Sequence, residues 1–316
     1  MFKKALAAVT MGIGILATVA TVAGFFGGVW WGLDLIANYR WQVMWAALIA
    51  AVLYALSGKG IFTAVFIVAA AINLWLILPA WVANQPPASG EDTVRVTHID
   101  LSGMLDDVDG AIAWLVNTEA DLLLVAGTSP GTVDAISRSD PSYVLLSSES
   151  VGSGVAVFAR DNWHTTTEFD TIGDPVYRIS VPSGTGAIDV ITAWGAMATS
   201  GTTADALAER FATVTDMVTS SGNPVLVIGN LGATKWSVVS RRLLGDTTLR
   251  DATGGFGYLS TWPTSNLPII GRWVGIPIDV AYIGPTLTPL DVIVGPDIGA
   301  GHLPLTIDIS PVAEEG

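Results

Sequence analysis

The chain of 316 residues has no cysteine, so disulfides, thiolate metal sites and a cysteine nucleophile are all excluded. Histidine is limited to His98, His164 and His302, and no two of them have the spacing of a helical metal motif. Base is scarce as well: 14 lysines and arginines face 28 aspartates and glutamates, a net charge of −14. Rarest of all is charge of either sign in the first 84 residues, where Lys3, Lys4, Asp34, Arg40 and Lys59 are the only charged side chains. Residues 85–316 then hold ten bases and 27 acids, a net charge of −17. A surface that acidic repels polyanions, which argues against nucleic acid as a partner.

The composition therefore divides the chain into two units. Uncharged runs predict three transmembrane helices, at about 5–28, 41–57 and 61–83, with Asn73 the one strongly polar residue of the third. The first run is too long for a secretory signal, and two more follow it. Trp30, Trp31, Trp41, Trp45 and Trp81 fall near the predicted ends, where indoles favour the interface. Lys3 and Lys4, with Lys59 in the second loop, outnumber Arg40 of the first. The positive-inside rule then puts the N-terminus in the cytoplasm and the large domain outside, in a multi-pass protein of the cell membrane.

Within the first span, Gly24-Phe25-Phe26-Gly27-Gly28 has a small-xxx-small spacing. It would let helices approach closely, or it reflects only the frequency of glycine in membrane helices. Three spans without internal ionisable groups suit an anchor or docking surface better than a transporter. The expected partners are the lipid bilayer and a membrane protein, met through the helices or through the acidic outer domain.

Residues 85–92, from Gln85 through Pro86-Pro87 to Asp92, read as a polar linker. Residues 93–316 form the second unit, large enough for a full core. Strands are predicted at Thr93–Leu101, Asp121–Ala126, Tyr143–Leu146, Val155–Phe158, Val176–Val181, Ala187–Ala193, Val225–Ile228, Ile278–Ile283, Asp291–Val294 and Leu303–Ile309. Helices are predicted at Asp107–Thr118, Thr202–Thr219 and Trp236–Leu244. The second of these carries Leu207, Phe211, Val214 and Val218 on one stripe. The fold class that follows is a three-helix transmembrane unit plus an α+β domain of two packed β-sheets flanked by helices.

Candidate chemistry is sparse. Gly152-Ser153-Gly154 and Gly184-Thr185-Gly186 lead into no helix with a following lysine, so they read as turns rather than phosphate loops. No Gly-x-Ser-x-Gly elbow occurs. Asp106, Asp107 and Asp109 fit no calcium-loop rule and read as a solvated helix start. What stands out is Asp279, ending Ile276-Pro277-Ile278, and His302, between Gly301 and Leu303-Pro304. A carboxylate that orients an imidazole at the mouth of a sheet is a common way to build a general base.

The order of these segments resembles the endonuclease/exonuclease/phosphatase superfamily, in particular its membrane-anchored bacterial members, from about Val94 to Ile309. Gly154-Val155-Ala156-Val157-Phe158-Ala159-Arg160 is similar to a family strand. Val225-Leu226-Val227-Ile228-Gly229-Asn230 matches the strand into a Gly-Asp-Phe-Asn motif. Gly255-Phe256-Gly257, Thr261-Trp262-Pro263, Ile276-Pro277-Ile278-Asp279 and Gly295-Pro296-Asp297-Ile298-Gly299 continue in family order.

The resemblance implies a metal-dependent phosphoesterase, yet residue by residue the machinery departs from it. Gly127 stands where a metal-binding glutamate is expected. The activating aspartate is Asn230, and the oxyanion-binding asparagine is Gly232. A family histidine is Trp194. The last metal-binding aspartate is Gly301, an arginine is Leu303, and Asp100 takes the place of a usual asparagine. Asp279 and His302 survive as a vestigial pair. No metal or other cofactor is expected. The reading that follows is an inactive, membrane-anchored relative serving as an accessory, assembly or scaffold subunit of a membrane protein complex. The alternatives are a hydrolase that has moved its chemistry, using Asp279 and His302 with Asp100 or Asp297, and a ligand- or lipid-binding domain that keeps the old cleft.

Overall fold

A computed structural model describes residues 2–56, 60–90, 93–103, 107–146, 154–160, 166–170, 176–183, 186–263 and 271–313. His164, Lys59, Asp106 and most of the two glycine-flanked turns lie outside these residues.

Five helices come first: α1 (Phe2–Ala23), α2 (Trp31–Ala37), α3 (Arg40–Ala55), α4 (Gly60–Ile77) and α5 (Pro79–Val82). Gly60–Val82 is the one stretch among the described residues that is long and apolar enough to cross a membrane. Ala7–Ala23 and Arg40–Ala55 are shorter apolar helices. The helices pack through small residues. At Gly14 a Cβ would lie 2.3 Å from the Phe66 ring, so α1 and α4 touch there only because that side chain is missing. Gly24 and Gly27 are closed off in the same way by Arg40 and Asp34 of the chain itself. Their spacing therefore serves internal packing.

Asn73 is fully buried, donating to Thr21 Oγ1 at 2.7 Å and to the Ala69 carbonyl at 2.9 Å. Arg40, expected in a loop, opens α3 and turns its guanidinium inward onto the Thr21 carbonyl (2.9 Å) and Asn73 Oδ1 (3.3 Å). It satisfies polar groups that the apolar helices would otherwise strand.

The second unit is a four-layer sandwich. In chain order it contains β1 (Val94–Asp100), α6 (Val108–Asn117), β2 (Leu122–Ala126), α7 (Pro130–Ser139), β3 (Tyr143–Leu145), β4 (Val155–Arg160), β5 (Thr166–Asp170), β6 (Val176–Ser183) and β7 (Gly186–Ala193). It continues with α8 (Gly201–Ser220), β8 (Val225–Asn230), α9 (Val238–Asp246), β9 (Arg250–Asp251), α10 (Gly271–Val274), β10 (Asp279–Ile283), β11 (Leu287–Val294) and β12 (Leu305–Pro311). One sheet runs β11-β12-β1-β2-β4-β3 and the other β5-β6-β7-β8-β10-β9.

Between the sheets lie alternate residues such as Val94, Val96, Leu122 and Leu124, facing Ile179, Val190, Leu226 and Ile228. The opposite parity, with Leu123 and Val125, meets α6 and α7 through Leu115 and Ile136. The Leu207, Phe211 and Val214 stripe of α8 covers the second sheet, as its spacing predicts.

Sequence reasoning missed α2, α7, α10, β5 and β9. Helix α7 carries a start signal all the same: the Ser129 hydroxyl accepts the Thr132 N–H at 3.2 Å, and Pro130 occupies the first turn. Asn84–Gly90, expected to be a tether, is strapped to the domain. Gln85 donates to the Gly254 carbonyl, the Pro86 carbonyl accepts from Thr288, and Ser89 N–H reaches the Pro311 carbonyl. The polar backbone that suggested a free linker is paired with the edge of a sheet.

Candidate functional site

Four strands end or begin at one rim of the sandwich. Residues β1 Asp100 and β2 Ala126 pair in parallel, and β8 Asn230 lies opposite β10 Asp279 in an antiparallel register. Across the gap between the sheets these residues form one hydrogen-bonded network.

Asp279 is its centre. The carboxylate is buried and accepts from both histidines, at 2.8 Å from His302 Nδ1 and 3.1 Å from His98 Nε2. Burial by itself would raise the Asp279 carboxyl, but the charge and hydrogen bond of His302, joined by those of His98, hold it well below the usual carboxylate range. For His302, burial pulls downward, while the charge and hydrogen bond of Asp279, with the charge of Asp100, lift it above its ordinary value. Each group thus favours the charged form of the other, and both are sealed inside the protein.

Asp100 is fully buried and saturated with donors. Its Oδ2 accepts Trp194 Nε1 and Asn230 Nδ2, each at 2.8 Å, and lies 3.5 Å from His302 Nε2. Its Oδ1 accepts the Ser102 N–H at 2.8 Å. The Gly232 N–H binds Asn230 Oδ1 at 3.1 Å and so fixes the amide with its NH2 towards Asp100. An aspartate at 230 would set two carboxylates at hydrogen-bond distance, so the acid at 100 and the amide at 230 belong together.

The three glycines of the resemblance sit where the backbone closes in. Gly127, just past β2, has φ +60°, and a Cβ there would lie 2.7 Å from the Ser102 nitrogen and 3.0 Å from Asp100 Oδ1. Gly232 has φ +84°, with the Ala196 carbonyl oxygen 2.4 Å from a would-be Cβ. At Gly301 the Ser102 carbonyl oxygen would be 2.9 Å away. Side chains at these positions need the backbone to move.

A divalent ion needs several oxygen lone pairs. Here three N–H donors take most of the lone-pair sites of Asp100, and each oxygen of Asp279 already accepts from a histidine. Among the described residues no group of three or more His, Asp or Glu could hold a metal ion. The residues present do not fit one. Asp297 is exposed, bonds the Gly299 N–H at 2.9 Å and stays outside the network. Asp107 caps α6 through Gly110 N–H, as a solvated helix start should.

His98, which has no metal-motif spacing to another histidine, belongs to the network through Asp279. The signal was its parity: Val94, Val96, His98 and Asp100 share one face of β1, the face turned to the core.

Beside the network lies a cleft of about 570 Å³. Trp194, Met197, Ala206, Trp262 and Ile278 supply its apolar walls, and Asp100, Asn230 and His302 its polar floor. The Trp262 and His302 rings are 6.2 Å apart.

Three solved structures overlie the sandwich closely enough to decide the fold. An endonuclease/exonuclease/phosphatase from Bacteroides vulgatus aligns with a TM-score of 0.55 at 12% identity, covering 69% of this chain and 99% of its own. D. rerio TDP2 complexed with single strand DNA product gives 0.56 at 13%, covering 69% and 99%. A functionally unknown conserved protein from Enterococcus faecalis V583 gives 0.56 at 14%, covering 69% and 100%. The domain has the endonuclease/exonuclease/phosphatase fold. No family model matches the chain, and no curated protein does. The likeness to endonuclease/exonuclease/phosphatase structures is thus one of architecture, carried at low identity by the two sheets and their flanking helices.

Proposed function

We propose that the chain is a membrane-anchored, catalytically inactive relative of the phosphoesterases, acting as an accessory, assembly or scaffold subunit of a membrane protein complex. The observation that carries this reading is steric. Gly127 and Gly301 stand where metal ligands would be needed and Gly232 where an oxyanion-binding asparagine would, backbone closes in on all three, and Asp100 accepts from three N–H donors. Without a ligand set for a metal among the described residues, an Asp279–His302 pair would lack charge stabilisation that is ordinarily worth orders of magnitude in rate.

Anchoring through three spans with the N-terminus in the cytoplasm is part of the proposal. It is supported by Gly60–Val82, by the exposed apolar residues of α1, α3 and α4, and by the basic residues Lys3, Lys4 and Lys59 on one side. Arg40, turned into the bundle, leaves that bias without an opposing loop cation. A second reading, a ligand-binding domain, is favoured by the cleft and its two tryptophans.

The test is hydrolysis of phosphodiester and phosphomonoester model substrates by the full chain with Mg²⁺ or Mn²⁺. No turnover above background is expected. Chelator-sensitive turnover abolished by His302→Ala would overturn the proposal.

A further inference from the structure

The contacts between the helices and the sandwich all fall at the cleft end. Strand β8 ends at Asn230, and three residues of the loop after it bond the helices. Thr234 N–H and hydroxyl reach Asn38 Oδ1 (2.9 and 2.8 Å), Trp236 Nε1 reaches the Leu76 carbonyl (3.1 Å), and the Ser237 hydroxyl reaches Asp34 Oδ2 (2.6 Å). Beyond β9, the Gly255 and Gly257 N–H groups bind the Pro79 and Ala80 carbonyls at 3.2 and 2.7 Å. The strap Asn84–Gly90 runs the other way, along the sheet edge to Pro311 at the end of β12 remote from His302.

The third contact is the short helix α10 and the residues after it. Trp262, a cleft wall, pairs with Ile276, and the residues just before Ile276 are pinned by their carbonyls. Trp41 Nε1 holds the Trp273 carbonyl at 2.7 Å. Gln42 Nε2 holds those of Val274 and Gly275 at 2.8 and 2.9 Å, and the Tyr258 hydroxyl also binds Gly275 at 2.9 Å. Trp41 stacks on Tyr258 at 4.7 Å, which makes the clasp stiff. With the backbone so fixed, the side chains of Trp273 and Val274 are left 59% and 47% exposed. They stand beside exposed Trp45 and Trp81 and continue the exposed apolar surface of α3 and α4. An indole and a valine held out rigidly at the end of an apolar helical surface match the interfacial layer of a bilayer, where tryptophan partitions favourably.

We propose that the end of α10, Trp273 and Val274, is a second membrane contact lying in the lipid headgroup layer, so that the cleft end of the sandwich is held facing the bilayer. Trp262 is paired two residues from Val274, about 7 Å along an extended chain, so the cleft wall lies directly above the headgroups. A molecule entering the cleft meets it from the membrane surface. The inference rests on the anchoring reading.

Because the chain has no cysteine, single sites can be labelled without a background. Trp273→Cys, Val274→Cys, Ile67→Cys on the exposed face of α4 and Thr219→Cys would carry an environment-sensitive fluorophore in the full chain. The protein is reconstituted in vesicles of phosphatidylethanolamine and phosphatidylglycerol containing headgroup-nitroxide lipid. Thr219 lies 16 residues along α8 from the cleft residue Thr203, about 24 Å away, and is the exposed control.

The expected result is blue-shifted emission and loss of intensity to the nitroxide at 273 and 274, and neither at 219. If 273 and 274 behave like 219 while 67 is shielded from water, the α10 contact is refuted and the anchor stands. Blue-shifted but unquenched emission at 273 and 274 would mean that protein, not lipid, covers the end of α10, and refutes it too. If 67 is also as wet as 219, the anchoring reading fails along with it.

Discussion

Replacing Asp279 by asparagine removes one charge and almost no volume from the middle of the network. One oxygen remains to accept from a histidine, but the other becomes an NH2 aimed at a ring N–H, and the His302 imidazolium loses its counter-ion. Taking one partner from a buried ion pair costs about 3–5 kcal/mol. In a domain of this size, about 3 kcal/mol lowers the melting temperature by roughly 6–12 °C.

The loss should depend on pH with a definite sign. His302 is lifted above its unfolded value of about 6.5, so its stabilisation is fully present below that pH and fades as pH rises through the higher folded value. Asp279 is depressed, so its contribution is present above about 3.9 and fades as pH falls towards the folded value. The difference between wild type and Asp279→Asn should thus be largest between about pH 4 and 6.5 and shrink in alkali. Thermal melts of the full chain in lipid nanodiscs, followed by near-UV circular dichroism across that range, measure it directly. An unchanged melting temperature at pH 6 refutes the buried ion pair. A difference that stays the same into alkali refutes its charged state.

Three further outcomes follow from the same geometry. His302→Ala leaves Asp279 with a single partner and should cost about 2–4 kcal/mol, read as a lower melting temperature; an unchanged one would contradict the packing role given to the pair. Gly127→Glu should cost about 2–4 kcal/mol, from a left-handed backbone plus overlap with Ser102, and should confer no Mg²⁺-dependent rise in melting temperature; such a rise would show that the ligand site can be restored. Asp34→Ala removes the carboxylate that accepts both the Ser237 hydroxyl and the Val238 N–H, at 2.6 and 2.7 Å. It should cost about 2–3 kcal/mol and speed proteolysis of the 231–237 loop, and equal cleavage rates would mean that the helices do not clasp the domain there.

Much of the architecture was legible because burial writes itself into local patterns. Leu122-Leu123-Leu124-Val125 is apolar on both parities because α6 and α7 lie on one side and the second sheet on the other. The stripe on α8 is one-sided because the helix is covered on one side only. The pairing of Asp279 with His302 was readable from family order. His98 was not, since a lone histidine in a strand is usually unremarked, and its partner lies 181 residues away. Asp34 was equally silent: its one visible property was charge, and its partners are more than 200 residues on.

By itself the sequence determined the strands of the sandwich and the residue types at 127, 230, 232 and 301, because these depend on period and identity. Only the tertiary structure decided what surrounds those positions. Whether a glycine marks an empty place or a filled one depends on the backbone across from it, and here Ser102 and Ala196 lie in that space. The tertiary structure also turned the apparent tether into a strap and the helices into a clasp. Those contacts are made by single polar atoms meeting across long stretches of chain, and such meetings leave no period in a sequence.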